Sequence, residues 1–85
     1  MFELVSFVGR GRDRRQVLKA LFRPSSPTDL SRQTGIDRST ISRVVLELTD
    51  KGLVECLTPD ERMGRYYRIT ETGKKVVAII EGRGD

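Results

Sequence analysis

Hydrophobic positions follow a helical period over most of this chain and alternate like a strand in one short stretch. Val17, Leu18, Leu21 and Phe22 form one face of a helix that Asp13 can cap and Arg23-Pro24 ends. Next, Ser26 caps, Pro27 takes the tolerated first position, and Asp29 completes a capping box with Asp in place of the usual Glu. Leu30 and the methyl of Thr34 then point inward, Gly35 supplies a left-handed helix end, and Ile36 plugs the turn. Asp37 caps a further helix over 38–51, in which Ile41, Val44, Val45 and Leu48 make a core-facing stripe and Lys51-Gly52 the close.

Beyond it, Leu53 to Thr58 and Tyr66 to Thr70 read as strands joined by Pro59-Asp60-Glu61-Arg62-Met63-Gly64-Arg65. Alternation puts Tyr67 and Ile69 inside and Tyr66, Arg68 and Thr70 outside. The last helix follows Thr70 and carries Val76, Val77, Ile79 and Ile80, more apolar surface than one stripe on a small core requires. It covers the domain's own hydrophobic side or pairs with a second copy, and pairing is the expectation. Residues 2–8, with Phe2, Leu4, Val5, Phe7 and Val8, fit neither period and stay open between helix and strand. Residues 82–85 are expected to fray.

Residues 28–52 thus hold two amphipathic stretches hinged at Gly35, the pattern of a helix-turn-helix, with a hairpin behind it. The segments Thr-Gly-Ile-Asp-Arg-Ser-Thr-Ile-Ser-Arg, Lys-Gly-Leu-Val-Glu and Gly-Arg-Tyr-Tyr-Arg-Ile-Thr-Glu-Thr-Gly carry a resemblance in their order and spacing. Over residues 12–80 the chain resembles the winged helix-turn-helix family of small prokaryotic transcription regulators, of the MarR and ArsR kind. The resemblance implies an α+β, mostly helical fold: a three-helix core, a two-stranded hairpin wing and a C-terminal helix. A single domain would span 1–85, its core at about 12–70, with 71–82 available for dimerisation.

The same resemblance implies a sequence-specific regulator of transcription, a repressor, binding double-stranded DNA as a homodimer through its C-terminal and N-terminal segments. The 38–51 helix would enter the major groove and the 59–65 wing would lie on the backbone or adjacent minor groove. Arg38 could meet guanine with both arms of its guanidinium or straddle a phosphate, and the sequence does not choose between these. Ser39, Thr40 and Ser42 are short donors and acceptors for bases or backbone, and Arg43 is the best single candidate for base reading. An exposed pair with Glu47 at i,i+4 is the plainer role for Arg43, compatible with the first. Leu46 packs at the helix edge or touches a thymine methyl. At the wing, Gly64 permits a reversal that turns Arg62 and Arg65 outward, although Asp60 and Glu61 cancel their charge. Thr28, Ser31 and Arg32 on the first motif helix, and Arg14 before it, are candidates for phosphate contact.

Size and charge sharpen this picture in three respects. Eighty-five residues support one modest core, often helped by self-association. The net charge of +4 is concentrated. Residues 1–23 hold Arg10, Arg12, Arg14, Arg15, Lys19 and Arg23 against Glu3 and Asp13, while the remainder is balanced. With no histidine and one cysteine, Cys56, neither a disulfide nor a zinc site of the usual Cys/His kind can be assembled within the chain, and no cofactor is expected. Cys56 is expected to act as a small half-buried hydrophobe, with a redox switch as the alternative, although no basic cluster adjacent in sequence is there to lower its pKa.

No run approaches a membrane span and the N-terminus lacks a basic lead, so a cytoplasmic protein is the expectation, with any small-molecule effector unknown. An enzyme is disfavoured by the missing His, phosphate loop and grouped carboxylates. A winged helix that binds protein or RNA instead of DNA is the alternative, and the net-neutral motif segment is its best support.

Overall fold

A computed structural model describes residues 1–82 as five helices and two short strands. They are α1 (Phe2–Arg10), α2 (Arg12–Ala20), α3 (Pro27–Thr34), α4 (Arg38–Asp50), β1 (Val54–Cys56), β2 (Tyr67–Ile69) and α5 (Glu71–Ile80). The expectation of fraying at 83–85 lies outside the described residues. α2, α3 and α4 pack around Leu18, Leu21, Leu30, Ile41 and Leu48, all fully buried. The strands β1 and β2 close one end of this core and α1 and α5 cover its side.

The open N-terminal stretch is a helix, so four helices rather than three precede the hairpin. Its apolar residues make sense once a partner face exists: Val8 is fully buried, Leu4, Val5 and Phe7 pack beside it, and Phe2 is left outside. α2 departs from expectation at both ends. Its cap is Gly11, in extended conformation and without a side-chain bond, and Asp13 is already inside the first helical turn. There its charge still opposes the positive end of the helix dipole. At the other end the helix stops at Ala20, which takes Phe22 out of helical register and leaves it 49% exposed.

α3 and α4 begin and end as their sequences require. Ser26 Oγ accepts from the Asp29 amide and Asp29 Oδ2 accepts from the Ser26 amide, both at 3.2 Å, closing the capping box. Gly35 turns the chain at φ 76°, and Ser31 Oγ donates to the Ile36 carbonyl at 2.6 Å across that turn. The four-residue stripe of α4 is buried throughout, and Gly52 follows the helix at φ 77°. β1 and β2 run antiparallel in the register Val54↔Ile69, Glu55↔Arg68, Cys56↔Tyr67. Ser25 bridges Tyr67 from the other side, so the α2–α3 linker acts as a third rung. Tyr67 and Ile69 are inside as the alternation requires.

Thr70 joins three elements at one point: its Oγ1 accepts from the Gly73 amide at 3.1 Å and donates to the Gly52 carbonyl at 2.8 Å. α5 then buries Val76 and Val77 in the chain's own core, against α1 and α2. Ile79 on α5 and Met1 and Phe2 at the start of α1 remain exposed.

Candidate nucleic-acid interface

The free surface of α4 is ordered by helical geometry. At about 100° per residue, the positions opposite the buried stripe run from Arg38 and Ser42, through Leu46, Ser39, Asp50 and Arg43, to Glu47. The first of these flank the wing and the last faces α2. Leu46 is 63% exposed, on the crest rather than packed at the edge.

On the wing side a concavity of about 310 Å³ gathers Thr28 from the start of α3, Arg38, Ser42 and Leu46 from α4, and Arg62 and Arg65 from the wing. Six of the twelve residues singled out in the sequence for DNA contact therefore share one surface, although 16 to 37 positions separate those on α3 and α4 from the wing arginines in the chain. The wing tip is built by Gly64 at φ 68°, and Thr58 Oγ1 accepts the Tyr66 amide at 3.0 Å at its base. Arg65 Nε donates to the Glu61 carbonyl, which steadies the tip, while Arg62 and Arg38 make no side-chain bond among the described residues. Arg32 is exposed near the end of α3 and does not line this concavity.

Ser39 and Thr40 have a local duty. Their hydroxyls donate to Asp37, Ser39 to Oδ2 at 2.6 Å and Thr40 to Oδ1 at 2.8 Å, and the Thr40 amide donates to Oδ2 at 3.0 Å. These bonds, the Ser39 hydroxyl foremost, pull the Asp37 carboxyl down to about 2. Both hydroxyl protons are thus committed in the free chain, leaving their oxygens as acceptors.

The side facing α2 differs from expectation. Arg43 does not pair with Glu47. Instead Glu47 Oε1 accepts from Arg14 Nε at 3.3 Å. Arg14 also donates to the Phe7 carbonyl at 3.0 Å and lies 3.9 Å above the Phe7 ring centroid, with Lys51 on the same ring at 5.2 Å. Arg14 is therefore a clasp between α1, α2 and α4, a role its sequence position does not reveal, since Phe7 and Glu47 are distant in the chain. Beside it an open concavity collects Arg10, Arg12, Asp13 and Arg43 around the start of α2. Arg10 and Arg12 were visible in the sequence only as part of the N-terminal charge excess.

A smaller hollow of about 270 Å³ lies between α2 and α5, floored by Val8, Val77 and Ile80 and rimmed by Arg12, Arg15 and Lys19. Cys56 is half-buried against the core. Among the described residues no helix is long and apolar enough to cross a membrane, and no group of His, Cys, Asp and Glu is placed to hold a metal.

Solved structures share this architecture. A MarR family transcription regulator, SP03579, superposes with a TM-score of 0.76 at 22% identity, covering 94% of this chain and 60% of its own. The PcaV transcriptional regulator of Streptomyces coelicolor, solved with its natural ligand, matches at TM-score 0.76 and 28% identity over 86% of this chain and 54% of PcaV. BpsR of Bordetella bronchiseptica, whose DNA binding is regulated by 6-hydroxynicotinic acid, matches at TM-score 0.76 and 24% identity, covering 85% and 57%. The chain thus has the winged-helix fold of MarR-family regulators and spans between half and two thirds of the length of these three. No curated protein sequence matches it significantly. The family described as the HVO_A0261 N-terminal domain matches residues 3–82, nearly the whole chain, and the chain belongs to that family.

Proposed function

We propose that this chain is a sequence-specific, double-stranded DNA-binding regulator of transcription, a repressor acting as a homodimer. The observation that carries this is the single surface formed by the free face of α4, the start of α3 and the two wing arginines. A helix of roughly 10–12 Å diameter fits a major groove about 12 Å wide. With α4 in that groove, Arg38, Ser42, Arg43 and Leu46 meet base edges. Thr28 and Arg32 serve phosphates, and Arg62 and Arg65 reach the backbone or the adjacent minor groove. The MarR-family likeness supports the same assignment. Met1 and Phe2, with Ile79 on α5, are the apolar surface on which a second copy would seat, giving two α4 helices for a two-fold site.

Selection of bound sequences from random duplexes at two salt concentrations tests this. The expected result is an enriched two-fold motif with steeply salt-dependent affinity. Salt-dependent binding without enrichment would remove sequence specificity, and absence of binding at low salt would replace the proposal with a protein- or RNA-interaction module.

A further inference from the structure

Resting on the DNA-binding proposal, we infer that the chain carries a second basic rim, Arg10 and Arg12, that grips the phosphate strand on the side of α4 away from the wing. A helix seated in the major groove lies between two phosphate strands, and each flank of α4 then faces one of them. The wing supplies Arg62 and Arg65 to one flank. At the other flank stand Arg10, Arg12 and Arg43, exposed and without a side-chain hydrogen bond or ion pair among the described residues.

Two features make this flank cationic. Glu47, which would otherwise oppose the strand, is held and neutralised by Arg14. The Arg14 stem also lies over Gly11, where an added Cβ would meet its Cδ at 2.8 Å, so the turn between α1 and α2 is shaped around that arginine. Among the described residues, Asp13 is the one carboxylate left unpaired there, against three free guanidiniums. The excess of charge in residues 1–23 is accounted for in part by this rim, with Arg14 as its positioning residue and Arg10 and Arg12 as the contacts.

The test measures duplex affinity against salt for the whole chain and for the double variant Arg10→Gln/Arg12→Gln, on the selected site and on random duplex. Arg62→Gln serves as the wing reference and Lys75→Gln, exposed on α5, as a control for loss of net charge, compared per charge removed. Losing two phosphate contacts should lower the slope of log affinity against log salt by about 1.8, with equal fold-losses on both duplexes, and Lys75→Gln should leave the slope unchanged. A slope unchanged by the double variant while Arg62→Gln lowers it would overturn the rim and leave the DNA-binding proposal standing. A slope lowered as much per charge by Lys75→Gln would also overturn it, by assigning the effect to net charge. If the wild type itself shows no salt-dependent duplex binding, both proposals fall.

Discussion

Two helical glycines should respond to the same substitution with opposite signs. In an unsupported helix, alanine is favoured over glycine by about 0.8–1.0 kcal/mol. Gly9, exposed in α1, has no atom within 4 Å of where a Cβ would stand, so Gly9→Ala should realise most of that gain. Gly73, buried in the first turn of α5, is different. An added Cβ would overlap the Leu53 carbonyl and come within 2.6 Å of Ile69 Cγ1. Leu53 O cannot retreat freely, because it accepts the Thr70 amide at 3.0 Å, and Thr70 in turn caps α5. Overpacking costs about 1–3 kcal/mol and a weakened cap about 1 kcal/mol, which outweighs the propensity gain. Gly73→Ala should therefore destabilise by about 1–3 kcal/mol. For a domain of this size each kcal/mol moves the midpoint by roughly 4–8 °C, so thermal unfolding followed by circular dichroism resolves both changes. A rise in Tm for Gly73→Ala comparable to that for Gly9→Ala would refute the close approach of α5 to Leu53 and β2 on which the reasoning rests.

Arg14→Ala should remove the clasp between α1, α2 and α4 and release Glu47. Duplex affinity should fall, and recovery of much of that loss in Arg14→Ala/Glu47→Gln would assign it to the freed carboxylate, whereas no recovery would refute that route. Gly35→Val places a β-branched residue at φ 76° with open space around it, so the cost is backbone strain of about 1–3 kcal/mol, read by denaturant titration. Asp37 titrates near 2 when folded against an ordinary value of 3.8, so its contribution is complete above that value and is lost as pH falls toward 2. The stability difference between wild type and Asp37→Asn should accordingly be constant from neutral pH down to about 5 and shrink below 4. A difference that grew with acidity would show the sign to be wrong.

The ends of α3 and α4 were the most legible part of the chain, because Ser26, Asp29, Gly35, Asp37 and Gly52 act on neighbours within a few residues and their chemistry is local. The buried stripe of α4 and the inward Tyr67 were legible for the same reason of period. What was not legible depends on contact across the chain. Leu4 to Val8 acquired a helical reading only from the faces that α2 and α5 offer, and Phe22 lost its place where α2 ends at Ala20. Glu47 had two arginines within reach, Arg43 one turn away and Arg14 on another helix, and the structure pairs it with the distant one. Spacing favours Arg43, but Arg14 is also held by the Phe7 carbonyl and ring, which fix its guanidinium beside Glu47.

That choice of partner bears on how α4 could read a sequence. Asp37 takes up the hydroxyl protons of Ser39 and Thr40 and Arg14 takes up Glu47, so four of the polar groups on or beside the free face are already engaged within the chain. Arg38, Ser42, Arg43 and Leu46 are left with no competing side-chain bond among the described residues. Two guanidiniums suited to guanine, one short hydroxyl and one apolar group suited to a thymine methyl make a compact reading set. Asp37 caps α4 immediately before Arg38 and its carboxyl is held down to about 2, so with α4 in the groove it would repel a phosphate that Arg38 would attract. Neutralising Asp37 should then strengthen binding to random duplex more than to the selected site, reducing discrimination. Asp37→Asn removes that charge while retaining one capping oxygen, and a larger gain on the selected site would contradict the role assigned to the carboxylate.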